Sequence, residues 1–363
     1  MRIHTLLVAI LWYASLSAQA QSKDTTERYS GGRSIIADIS KILGPAGIQE
    51  DFQAEIGGLR QWVYVRGQDT ANPIILFVHG GPASPLAPVM WTFQRPVEEY
   101  FTMVNYDQRA AGKTFLANDT VGLGNTIHIS SYIDDAIALT EILLKKYHKR
   151  KVILMGHSWG TVVAMGAALK RPDLYYAYIG VGQAINVMDN EAVSFEFGLA
   201  EARRRNDTTA IRELESIAPY PGNKPVTRER IIIARKWPQT YGGLGAYRDV
   251  PLYFFRAPYL SPEYSRAEVR GIDEGNIFTL SRILPEFLKV DYKQVTNFPI
   301  PVLMFMGRHD YTTPSAPTAA WLEKVKAPYK KGIWFENSSH LLPMEEPGKF
   351  LLSLVEYVRP LAK

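Results

Sequence analysis

Gly156-His157-Ser158-Trp159-Gly160 is a G-x-S-x-G run that follows the apolar stretch Lys151 to Gly156 (KVILMG) and precedes a small-residue helical pattern, Thr161 to Lys170. Strand, tight turn, then helix is the order in which a serine becomes a nucleophile. The glycines permit a strained turn, and the hydroxyl is thrust clear of the sheet. Three fixed positions recur by chance, so the motif needs an acid and then a histidine downstream. Of the seven histidines, His4 lies in an apolar leader, His79 ends a strand in a glycine loop, and His128 and His148 precede the serine. His157 adjoins the serine, and His309 abuts a candidate acid. His340 remains, in the loop Asn337-Ser338-Ser339-His340 between the last strand and the last helix, where an imidazole can act as general base. Asp310 follows the apolar strand Pro301 to Gly307, the place for a carboxylate that orients the imidazole; Asp273 and Asp291 directly follow no such strand. Ser158, Asp310 and His340 therefore read as a triad for acyl transfer through a covalent acyl-enzyme.

The tetrahedral oxyanion of that chemistry needs backbone N–H donors, one from the residue after the nucleophile and one from the loop after an early strand. Trp159 supplies the first. The second belongs to His79-Gly80-Gly81-Pro82, with Gly81 preferred and Gly80 next, since glycine lets the backbone approach a substrate closely.

The elements that must carry these residues alternate along the chain. Strands are expected at Gln61 to Arg66, Pro73 to His79, Tyr100 to Asp107, Lys151 to Gly156, Tyr176 to Val181, Pro301 to Gly307 and Gly332 to Glu336. Helices are expected at Ile133 to Tyr147, Thr161 to Lys170, Ser315 to Val325 and Gly348 to Val358. Continuous apolar strands alternating with helices imply a mostly parallel central sheet with helices on both faces. The alternation stops between Ile185 and Phe298, a mainly helical stretch rich in Tyr, Arg and Pro, read as an inserted helical lid. The organisation expected is a leader over 1–20, a first core segment over 21–184, the lid over 185–298 and a second core segment over 299–363.

The chain has 363 residues, 46% of them hydrophobic and 21% charged, with 7 Trp, 20 Tyr and 15 Phe, enough to fill a large core. With no cysteine, disulfides, thiol nucleophiles and Cys-ligated metals are excluded. The net charge is only +5, and no run of like charge is long enough to track phosphates, so nucleic acid is not an expected partner. Arg2, the apolar run Leu6 to Leu16 and Ala18-Gln19-Ala20 read as a signal peptide cleaved near Ala20. The run falls short of the ~20 residues that span a bilayer, so the expectation is an exported protein, periplasmic or secreted, with no stable membrane insertion after cleavage. No spacing of His, Asp and Glu suggests a metal site.

Together His79-Gly80-Gly81-Pro82, Tyr106-Asp107-Gln108-Arg109-Ala110-Ala111-Gly112-Lys113-Thr114, Asn125-Thr126 and Gly156 to Thr161 resemble the ordered landmarks of proline iminopeptidases. These are serine aminopeptidases of the α/β-hydrolase fold. The resemblance covers nearly all of the chain outside the leader and lid. It implies the same Ser158, Asp310, His340 triad and release of an N-terminal residue from a peptide or amide without metal or cofactor. Ala83 and Ala110 depart from it, standing where the family usually has glycine. Asp107 and Arg109 are read as structural, tying the two loops together.

An aminopeptidase also needs a partner for the substrate ammonium, and a lid carboxylate is suited to it. Glu196, on the border of the apolar face Ala192, Phe195, Leu199 and Ala202, is one candidate, and Glu191 is a second. Helix solubility or a pair with Arg203 or Arg204 is the competing reading. Tyr220, Tyr241 and Tyr247 either line a substrate pocket or pack as ordinary aromatics. The same triad also suits a carboxylesterase or lactonase, so the expected partner is a small peptide, amide or ester. The sequence carries no signal of oligomeric state.

Overall fold

Three stretches made almost wholly of Val, Ile, Leu, Met and Phe are too apolar to leave a face in water, and in the computed structural model, which describes residues 25–363, they lie at the centre of one eight-stranded sheet. The strands are β1 (Ile48–Ile56), β2 (Leu59–Gly67), β3 (Ile74–Val78), β4 (Thr102–Asp107), β5 (Val152–His157), β6 (Tyr175–Val181), β7 (Val302–Gly307) and β8 (Lys330–Phe335). Their spatial order is β1-β2-β4-β3-β5-β6-β7-β8. β1 and β2 pair antiparallel, as do β2 and β4, and every later pair is parallel. Successive residues of β3 divide between two cores, Ile74, Leu76 and Val78 on one side and Ile75 and Phe77 on the other. This is the period-two consequence of a sheet covered on both faces.

The helices are α1 (Thr25–Ile39), α2 (Gly112–Ala117), α3 (Thr120–Leu123), α4 (Ile129–Lys146), α5 (Trp159–Lys170), α6 (Val187–Arg204), α7 (Thr208–Ser216), α8 (Arg228–Pro238), α9 (Arg266–Phe287), α10 (Ser315–Lys324), α11 (Leu342–Glu345) and α12 (Pro347–Ser353). Side chains of α4, α5 and α10 fill the core on one face; those of α11, α12 and the segment Phe93 to Phe101 fill the other.

Between β6 and β7 the chain is helical. α6, α7 and α8 enclose a small core of their own, including Phe195, Ala202, Leu214, Tyr220 and Trp237. α9 is seated differently. A Cβ on Gly271 would lie 2.6 Å from the Gly112 carbonyl oxygen, and one on Gly275 would collide with the Ala110 carbonyl. Asn276 donates to the Pro82 carbonyl at 2.7 Å. One face of α9 thus rests directly on the loops that follow β3 and β4, a contact that glycine alone allows.

The expected signal peptide lies outside the described residues. α1 packs against the inserted segment. Tyr29 stacks on Tyr259 with centroids 6.0 Å apart, Gly32 lies against Leu260, and Ile36 is buried.

Candidate active site

The turn at Ser158 is built by what its neighbours lack. A Cβ on Gly156 would sit 2.5 Å from the Gly160 carbonyl oxygen, and one on Gly160 would strike the carbonyls of Val78 and His79. With both positions bare, β5 runs tightly into α5 and Ser158 takes φ 55° and ψ −124°. That conformation costs a non-glycine residue about 1–3 kcal/mol. It is held by the Ser158 N–H bond to Val181 O at 3.0 Å and by the Thr161 hydroxyl on Ser158 O at 2.6 Å.

Asp310 leaves the end of β7 and His340 the loop after β8, and the two meet: Nδ1 of His340 lies 2.8 Å from Oδ2 of Asp310. The other carboxylate oxygen accepts the N–H groups of Thr312 at 2.9 Å and Thr313 at 2.8 Å. An acceptor-only carboxylate opposite Nδ1 assigns the ring proton there and leaves Nε2 free as a base. The rings of His157 and His340 lie tilted by 36° with centroids 4.8 Å apart, and Nε2 of His157 donates to the His340 carbonyl at 2.9 Å. Burial, with help from the nearby His340, pushes the pKa of His157 down to about 3, so it serves as a neutral donor. Glu345 secures the same loop from the other side. Its carboxylate accepts from Ser339 N at 2.8 Å and from Ala246 N at 2.6 Å, joining the histidine loop to the inserted segment.

Gly80 and Gly81 line the same cleft as Ser158 and His340. The Cβ position of Gly80 is 3.0 Å from the Cβ of Ser158, and Gly81 takes φ +120°. Trp159 is the first residue of α5, where backbone N–H groups have no intrahelical acceptor. Its indole donates to Gln108 Oε1 at 3.1 Å, while Gln108 Nε2 donates to His79 O at 2.7 Å. Gln108 is therefore the residue that joins the two loops. Asp107 and Arg109 do not, contrary to the sequence reading: Asp107 accepts from Lys113 N at 2.8 Å and from the Tyr264 hydroxyl, and Arg109 pairs with Asp135 at 2.8 Å. Ala83 and Ala110 are buried in left-handed conformations, φ 57° and 58°.

The cleft holds about 930 Å³, including its mouth. Neither expected lid anchor lines it. Glu191 is buried, its carboxylate taken by Arg235 and by the Tyr220 hydroxyl at 2.6 Å, partners the local helix pattern could not reveal. Glu196 is exposed on α6, outside the lining. Tyr220 and Tyr241 spend their hydroxyls on Glu191 and Asp207, and Tyr247 is 72% exposed. The carboxylate in the cleft is Asp273 on α9, beside Asn276. Its Oδ1 is buried with no hydrogen-bond partner, and burial, with a smaller contribution from Glu274, raises its pKa to about 8. Sequence reasoning considered Asp273 only as a triad acid; its helical spacing one turn from Asn276 was the signal available. Among the described residues no group of three or more His, Cys, Asp or Glu is placed to hold a metal ion, and no helix is long and apolar enough to cross a membrane.

Residues 75–353 match the Alpha/beta hydrolase family. The probable aminopeptidase YbaC of Bacillus subtilis (strain 168) is 27% identical over 310 residues, covering 85% of this chain and 95% of that protein. Among solved structures, a proline iminopeptidase-related protein from Thermus thermophilus superposes with TM-score 0.63 at 18% identity, over 87% of this chain and 99% of that one. An esterase from Thermogutta terrifontis gives TM-score 0.54 at 17% identity, over 87% and 99%. At these identities the structural likeness is one of fold.

Proposed function

The chain belongs to the alpha/beta hydrolase family, and from that premise we propose that this hydrolase is a serine aminopeptidase of the proline iminopeptidase type. Ser158 attacks the acyl carbon while Nε2 of His340 takes its proton, and the Nδ1–H to Asp310 bond steadies the imidazolium that forms. The N–H groups of Trp159 and Gly81 receive the oxyanion. His340 passes the proton to the leaving amine, and water, activated by the same imidazole, releases the acyl group.

The observation that carries this reading is the unpartnered carboxylate of Asp273 in the cleft that holds Ser158 and His340. A buried acceptor without a donor is costly to the folded protein, and a substrate ammonium is the donor it fits. Asn276, oriented by its bond to Pro82 O, leaves its own carbonyl oxygen as a second acceptor. The test compares aminoacyl anilides with their N-acetylated forms. Free-amine substrates should be preferred, Ser158→Ala should abolish turnover, and Asp273→Asn should raise KM at least tenfold for free amines alone. Equal use of blocked and free substrates would sink the reading.

A second reading, a carboxylesterase, rests on the same residue. With a pKa near 8, Asp273 is neutral at pH 7 before an amine arrives, so an uncharged ester also fits. Export after cleavage near Ala20 belongs to the proposal and is tested by N-terminal sequencing of the natively produced protein.

A further inference from the structure

Resting on the aminopeptidase reading, we propose that the residue released is large and apolar, of the Leu, Met or Phe class, and that acidic residues are refused. The walls around the acyl site are Leu86, Val89, Phe254, Pro258, Ile272 and Met344. They come from three separate places: the segment after the glycine loop, the inserted region, and the helix after His340. A small side chain leaves the facing wall without contact atoms, and such a gap forfeits the dispersion that a well-fitted side chain collects.

Charge narrows the choice further. The lining contains one carboxylate, Asp273, two histidines, His157 and His340, and no lysine or arginine. An acidic side chain would meet no cation and would face Asp273. A basic side chain would compete with the substrate's own ammonium for the single carboxylate and lose its water without a second partner.

Each methylene buried against such walls is worth about fourfold in kcat/KM, so Leu should exceed Ala by on the order of 50-fold. The experiment measures kcat/KM for anilides of Leu, Met, Phe, Ala, Pro, Asp and Lys, each with a free and an acetylated amine. Leu, Met and Phe should lead Ala and Pro by tenfold or more, with Asp unprocessed. Pro or Ala leading would overturn the inference while leaving the aminopeptidase reading intact. The same ranking by side chain together with equal rates for free and acetylated substrates would uphold the apolar wall and overturn the aminopeptidase reading instead. Val89→Trp and, independently, Ile272→Phe should cut turnover of Phe and Leu substrates tenfold while changing Ala less than threefold; a uniform loss across all side chains in both folded variants would also overturn the inference.

Discussion

Gly182 lies against His340: a Cβ on Gly182 would come within 2.9 Å of both Cε1 and Nδ1 of the imidazole and 3.2 Å of Asp310 Oδ2. Gly182 also has φ +56°. The end of β6 is thus a floor under the imidazole and its carboxylate partner, and any side chain there displaces the ring. Gly182→Ala should lower kcat about 100-fold, the scale on which misplacement of a catalytic group by ~1 Å acts, with KM little changed. Steady-state kinetics on the folded variant decide it.

Asp273 should cost stability in proportion to its usefulness. Its folded pKa, about 8, lies above the ordinary carboxyl value of 3.8. The native protein therefore holds a proton that the unfolded chain releases, and stability falls as pH rises from ~4 to ~8. Asp273→Asn has no such proton to lose. Its Tm should exceed that of the parent by about 2 °C or more at pH 8, and by less at pH 5; a constant difference across that range refutes the burial argument.

Glu345 joins Ser339 to Ala246, so its removal strands the buried N–H of Ser339 and frees the half-buried N–H of Ala246. At ~1–3 kcal/mol for a buried unsatisfied group, Glu345→Ala should lose at least about 1 kcal/mol in urea unfolding. It should also lower kcat more than it raises KM, because the loop that slackens carries His340. Glu345→Gln, which keeps one acceptor oxygen, should recover part of both.

α1 stands against the segment from Ala257 to Leu260, which contributes Pro258 to the cleft. Removing residues 1–40 should leave the sheet folded but expose the inserted segment around 252–260 to protease. KM should rise several-fold while the stereochemistry at Ser158 is kept. Limited proteolysis with mass mapping reads the first effect directly.

Ala110 offers a control on backbone strain. Its left-handed conformation costs about 1–2 kcal/mol, but a glycine there would add roughly 0.4–1 kcal/mol of freedom to the unfolded chain. The two effects oppose one another, so Ala110→Gly should change stability by less than about 1 kcal/mol.

The central sheet was legible because its strands are buried on both faces: the expected strand Pro301 to Gly307 is observed as Val302–Gly307, and Lys151 to Gly156 as Val152–His157. β1 was not legible. It is an edge strand in which every second residue is exposed, only Ala54 and Ile56 are buried, and Glu50, Asp51 and Glu55 are included, so it reads as polar loop. α1, with Gly31 and Gly32 in its middle, gives an equally weak pattern, since glycine is a poor helix former. At the site, chain order singled out Asp310 and His340 as candidates, and the two are in hydrogen-bond contact. Glu191 was misplaced because the partner that occupies it, Arg235, lies 44 residues away. Asp273 was passed over because what distinguishes it is the cleft it faces, a property of how α9 docks rather than of its neighbours in the chain.

The seating of α9 on the carbonyls of Ala110, Gly112 and Pro82 gives the molecule a ruler. Ser158 is fixed at the end of a buried strand and Asp273 on a helix that glycines lock to the same core, so the span between the serine and the carboxylate is set by backbone contacts. On the proposed aminopeptidase reading, such a device counts from a chain terminus before any side chain is inspected. Mutations in the surrounding walls would then change which residue is removed without changing how many are removed at a time.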